Sequence, residues 1–169
     1  VAMKVFTEPS VLGAADVNEY LVNVKWASKP SATTRINTTT PANDPDLTLQ
    51  VDPNKSYWLE LVAPFTSIAA AGFKFSFAAP AGSVFTGGFL YSANGITALG
   101  TYSSAGLLIT ANIATTSTGS GADDLITVRG SLVTAGTGGG FTYQWSQNTS
   151  NGGNTTVRAG SVMKLERVS

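Results

Sequence analysis

An all-β fold, an antiparallel β-sandwich of jelly-roll type behind an N-terminal arm with one short helix, is predicted by three observations. Short runs with apolar residues at every second position recur at intervals of about 8 to 12 residues, with turn residues between them. Two of these runs each place three aromatics on one face, namely Phe73, Phe75 and Phe77, and Phe141, Tyr143 and Trp145. Helical spacing occurs only in residues 11–24, where Val17, Tyr20, Leu21 and Val24 fall at i, i+3, i+4 and i+7. The predicted division is an arm over residues 1–30 and a β-domain over residues 31–169.

The predicted helix has Asp16 at its cap or in its first turn. At under three turns it is too short to stand alone, so its stripe must dock, either on its own domain or on a neighbouring subunit. Val5, Phe6, Val11, Leu12, Val17, Tyr20, Leu21 and Trp26 are the candidate docking residues, and Lys29 and Pro30 end the arm. In the β-domain, residues 33–39 are polar and β-branched, as in an edge strand, and residues 41–46 read as a Pro/Asn/Asp loop. Residues 47–51 alternate cleanly, and 52–55 form a turn. Residues 56–63 set Tyr57, Leu59 and Leu61 against Trp58, Glu60 and Val62, a strand apolar on both faces except at Glu60. A partner or the arm should cover its second face.

Residues 65–72 read as a loop, and residues 79–82 stop the first aromatic strand. The two aromatic strands are expected to face one another across the core, each ring burying roughly 150–250 Å². Residues 83–92 and 107–113 supply two more strands, with a bulge suggested by Gly87 and Gly88, and residues 115–122 read as a loop. Residues 125–133 alternate with a flaw at Gly130, and residues 135–140 and 148–154 have turn compositions. The closing run, 162–168, mixes apolar and charged residues on both faces, so it is expected to pair with another subunit as well as its own sheet.

With 169 residues, 43% of them hydrophobic, the chain can bury a substantial core. Its charged share of 12% is about half the usual one, which suits a surface partly occupied by neighbours. A net charge of zero and no Lys/Arg cluster argue against nucleic acid, whose phosphates call for a basic field. No apolar stretch reaches the length of a membrane span, so no membrane partner is expected. The first residues, VAMKVFTEP, lack the apolar core of a signal peptide. Val1, read as following a removed methionine or as an alternative start, suggests a complete small protein.

The chain has no cysteine and no histidine, so thiolate chemistry and the commonest general base and metal ligand are missing. A glycosidase would need two carboxylates facing across a cleft, whereas nearly all of these fall in predicted turns, so no enzyme activity and no cofactor are expected. Asn43, Asp44, Asp46 and Asp52 offer oxygen ligands for Ca²⁺ but lack the EF-hand spacing. The glycines at 136 and 138–140 lack the Lys-Ser/Thr of a P-loop, which leaves a hairpin loop. The triplets beginning at Asn37, Asn148 and Asn154 match the glycosylation acceptor, as chance matches in a Thr-rich chain. Trp26, Trp58 and Trp145 together would make a sugar-stacking platform, although Trp145 fits the core better.

The segment GSLVTAGTGGGFTYQWSQNTS, followed by TTVRAGSVMKLERV, resembles the C-terminal β-domain of small virion proteins from tailed phages of actinobacteria. Those domains are jelly rolls of the tumour-necrosis-factor-like and complement-C1q-like kind, and the resemblance covers roughly residues 31 to 168. VLGAADVNEYL resembles a leader that precedes the β-domain in many phage structural proteins, which favours an arm docked on a neighbour. The resemblance implies a homotrimer, made in the host cytoplasm and placed on the outer surface of the capsid. There a capsid decoration protein would bind the major capsid protein and cement neighbouring capsomers. A receptor-binding or minor tail protein, whose loops touch the host surface and its glycans, is the alternative; a free carbohydrate-binding module is an alternative of another class.

Overall fold

The structure, a computed structural model, describes residues 23–93, 96–104, 111–113 and 123–168, with the side chains of 91–104 and 111–113 left aside. The described residues are all-β and contain no helix. The strands are β1 (Val24–Ser28), β2 (Thr33–Arg35), β3 (Ala42–Val51), β4 (Ser56–Ser67), β5 (Phe73–Ala78) and β6 (Val84–Ala93), then β7 (Ile96–Ser104), β8 (Ala111–Ile113), β9 (Asp124–Val133), β10 (Gly139–Ser146), β11 (Thr155–Val157) and β12 (Val162–Arg167).

They form two antiparallel sheets. The larger runs β1-β12-β4-β9-β6-β7, with β11 beside the far end of β4 and β2 beside β11; the smaller runs β3-β10-β5-β8. The sheets pack face to face, as alternation requires. In β4, Tyr57, Leu59, Leu61, Ala63 and Phe65 are buried, while Trp58 and Val62 between them are exposed. Met163 and Leu165, Ile126, Val128 and Leu132, and Phe85 complete the inner face of the larger sheet. Leu47, Leu49 and Val51 join the aromatic strands on the inner face of the smaller one.

The two aromatic strands do not face one another. β5 and β10 are hydrogen-bonded neighbours in the smaller sheet, with Tyr143 opposite Phe77 and Trp145 opposite Phe75. Their six rings are buried as one patch, in which Phe77 stacks on Phe141 at 4.9 Å and Phe73 on Trp145 at 5.9 Å. Across the core they meet Phe65, stacked on Phe73 at 4.1 Å, and Phe85, 6.0 Å from Phe77. Period-two alternation fixes the face a side chain takes but not the sheet its strand joins, so side-by-side and face-to-face arrangements give the same sequence.

Three other expectations are corrected. Residues 41–46, read as a loop, lie almost wholly in β3, where residues 44–47 bulge opposite Tyr143 between the pairs Asn43–Gln144 and Thr48–Thr142. Arg35 holds the bulge from outside. Its guanidinium lies 4.0 Å over the Trp145 ring and donates to the carbonyls of Ala42 (2.8 Å), Asn43 (2.6 Å) and Trp145. Gly87 and Gly88 make no bulge, because β6 keeps an unbroken register on β9 with Gly87 opposite Gly130. The Phe85 ring lies over both glycines, and a Cβ on Gly130 would come within 2.6 Å of that ring and 2.5 Å of the Thr86 carbonyl oxygen. The loop expected from residue 65 starts later, since β4 runs on to Ser67.

Val24–Ser28, read as part of the arm, is β1, the edge of the larger sheet beside β12. Its inward residues Lys25, Ala27 and Lys29 face β3, the edge of the smaller sheet. Lys25 Nζ donates to the Gln50 carbonyl at 2.8 Å, Ala27 packs on the core, and Lys29 reaches Asp44 and Asp46. The expected helix, with Val5, Phe6, Val11, Leu12, Val17, Tyr20 and Leu21, lies outside the described residues, as does the loop at 115–122 and the start of the strand expected at 107–113.

Tyr143 is fully buried and its hydroxyl has no hydrogen-bond partner. Burial, reinforced by the nearby negative charge of Asp44, holds its phenol well above the ordinary tyrosine value. This shift leaves stability unchanged below about pH 10 and lowers it above that value, as the unfolded chain ionises while the folded one does not. Tyr143→Phe should raise stability by about 1 kcal/mol at neutral pH and by more near pH 11, as urea unfolding at both values would show. Gly130→Ala should cost about 1–3 kcal/mol through the clash with Phe85 and Thr86, read from the same curves.

Candidate interaction surface

The outer face of the larger sheet is where side chains are available to a partner. In-register pairing builds straight rows across it. One runs Trp26, Lys164, Glu60, Arg129, from β1 through β12 and β4 to β9. The next runs Val162, Val62, Thr127, Leu90, from β12 to β6. A third pairs Glu166 with Trp58 and Trp58 with Ser131. Alternation puts each row outside because Leu59, Leu61, Val128, Met163 and Leu165 take the inside.

Glu60 is the centre of the charged row. Its carboxylate accepts from Lys164 at 3.3 Å on one side and lies 3.2 Å from the Arg129 guanidinium on the other. Lys164 also lies 3.2 Å from Glu166 and 5.9 Å from the centre of the Trp26 ring. Hydrogen bonding to Glu166, then to Glu60, raises the Lys164 ammonium above the ordinary lysine value. These pairs are exposed enough for water to screen them, so they fix orientation more than they stabilise. Beside the row, Trp26, Glu60, Val62, Arg129, Gly160, Val162 and Lys164 enclose a concavity of about 330 Å³.

Apolar side chains remain uncovered around it. Trp26 is 64% exposed and Trp58 42%, and Val62, Val84, Leu90 and Val133 are also exposed. The sequence marks part of this surface, since Trp58, Glu60 and Val62 stand out as a second face needing cover. Lys164 and Arg129 escape it because their neighbours across the sheet are about 100 and 70 residues away in the chain.

Of the three tryptophans considered as a sugar platform, Trp145 is buried in the core, and only Trp26 and Trp58 share the outer face. The oxygens considered for Ca²⁺ are engaged: Asp44 and Asp46 by Lys29, and Asp52 by the Tyr57 hydroxyl at 3.1 Å. Among the described residues no cluster of three or more His, Cys, Asp or Glu is arranged to hold a metal ion.

No family model and no curated protein matches the chain. Among solved structures it is similar to that of the infectious bursal disease virus Gt strain, at 12% identity over 86% of this chain and 38% of that one, with a TM-score of 0.23. It is also similar to the infectious bursal disease virus VP2 subviral particle, at 10% identity over 86% and 41%, with a TM-score of 0.22. The chain spans about two fifths of the length of these viral proteins.

Because the Trp26 ring is mostly in water, Trp26→Ser should change folding stability by no more than about 0.5 kcal/mol in urea unfolding.

Proposed function

We propose that the protein is a phage virion structural protein with no enzyme activity, a capsid decoration protein that binds the outer head surface as a homotrimer and cements neighbouring capsomers. The observation that carries this reading is the outer face of the larger sheet, where exposed Trp, Val and Leu side chains surround a fixed row of alternating charges. Burying a Leu- or Phe-sized side chain contributes roughly 1.5–3 kcal/mol, so covering several of them favours assembly.

The strand order supports the jelly-roll part of the reading. With β2, β11 and the β6–β7 hairpin set aside, the remaining strands lie in sequence rank as 1-8-3-6 in one sheet and 2-7-4-5 in the other. That is the order produced by folding one long antiparallel hairpin over into a jelly roll. The resemblance of the closing segment to tumour-necrosis-factor-like domains of actinobacterial phage virions points the same way. The major capsid protein is the proposed partner, and the segment before β1 is the proposed attachment arm, while Trp26 lies on the outer face.

A truncation testing the arm must stop at residue 22, since Val24 begins a paired strand. Starting at Asn23, the protein should keep its melting temperature and lose attachment to phage heads. Light scattering on the full chain should give three times 17.4 kDa. A monomer at micromolar concentration argues against the trimer. Truncated protein that still saturates heads removes the arm from the mechanism. Co-purification with tails, rather than heads, would favour the receptor-binding reading, and binding on a glycan array the carbohydrate-binding one.

A further inference from the structure

At the edge of the core lies a lysine enclosed with two carboxylates. The Lys29 side chain is fully buried, as is that of Asp44, while that of Asp46 is 26% exposed. Lys29 Nζ is 3.0 Å from Oδ1 and 3.0 Å from Oδ2 of Asp44, and 2.9 Å from Oδ2 of Asp46. An amine equally close to both oxygens of a carboxyl group has the carbon between them at roughly the 3–3.5 Å of a near-attack geometry. Donors already point at those oxygens. The Asp46 and Leu47 amides donate to Oδ1 at 3.0 and 3.2 Å, and Trp145 Nε1 donates to Oδ2 at 2.9 Å. Fixed donors of this kind stabilise the oxyanion that forms when a nucleophile adds to the carbon.

We propose that Lys29 and Asp44 condense to an intramolecular amide bond within the folded chain, with Asp46 carrying the protons. Asp46 takes a proton from the Lys29 ammonium and passes it to an Asp44 oxygen, leaving a neutral amine and a neutral acid. The amine nitrogen attacks Asp44 Cγ, and the C–N bond forms. A second proton moves from that nitrogen through Asp46 to the hydroxyl on Cγ, the C–O bond breaks, and water leaves. Both hydrogens of the water come from the ammonium, Asp46 ends as it began, and no oxidant or cofactor takes part. Its partial exposure gives the water a way out.

The sequence favours the same chemistry. Residue 45 is proline, so no amide N–H follows Asp44 to compete for its carboxyl by cyclising to a succinimide. The bond would staple β1 to β3, the adjoining edges of the two sheets, and it does not depend on what the protein attaches to.

Intact mass spectrometry of the full folded chain tests the proposal, and the expected mass is that of the sequence less one water. Proteolysis and tandem spectrometry should return one branched peptide holding Lys29 and Asp44. Asp46→Ala, which removes a partly exposed carboxylate, should fold and keep the full sequence mass. Wild-type protein that retains the full mass after days folded at neutral pH overturns the proposal and leaves a salt bridge. Water loss mapped to other residues overturns it equally, and a cross-link that persists in Asp46→Ala overturns the part given to Asp46.

Discussion

The side of the sandwich where β1 meets β3 depends on one carboxylate. Asp44 is out of water and accepts from Lys29, from two backbone amides of its own bulge and from the Trp145 indole. A buried charge with fewer partners would be costly, and removing one member of such a set typically costs about 3–5 kcal/mol. The bulge exists to deliver this group inward. Without it, strict alternation along β3 would set Asp44 and Asp46 on one face together with Thr48. The backbone irregularity is held by Arg35, whose guanidinium covers the Trp145 ring and donates to the carbonyls of Ala42, Asn43 and Trp145. The cluster is thus a single unit joining the start of the larger sheet to the centre of the smaller one.

From that closed edge inward, the core is filled mainly by rings. The smaller sheet contributes six aromatics on adjacent strands, and the larger sheet answers with aliphatic side chains and with Phe65, Phe85 and Tyr57. Offset and tilted ring pairs suit such a patch, because several large flat groups can fill the space between two twisted sheets without a void. Where β6 pairs with β9, Gly87 and Gly130 lie opposite one another without side chains, which leaves the room that the Phe85 ring occupies.

The two faces of the larger sheet follow different rules. Its inner face is apolar over most of its area, as a core requires, with Lys25 on β1 and Asp124 at the start of β9 among its polar members. Its outer face mixes exposed tryptophan, valine and leucine with a row of paired charges.

The sequence by itself determined the class of fold, the buried aromatic faces of β5 and β10, and the two apolar faces of β4, because each is written in a period of two within a single strand. It showed Gly130 as a flaw without its reason, which lies on another strand in Gly87 and Phe85. Only the tertiary structure decided that the aromatic strands are neighbours, that residues 41–46 are a bulged strand, that Val24–Ser28 is a sheet edge, and that Lys29 and Arg35 act on Asp44 and Trp145. The reason is range: Trp145 and Asp44 are 101 residues apart, and Lys164 and Glu60 are 104. Local alternation assigns a side chain to a face, but which polar groups meet there depends on strand order and register, which form only when distant segments pair.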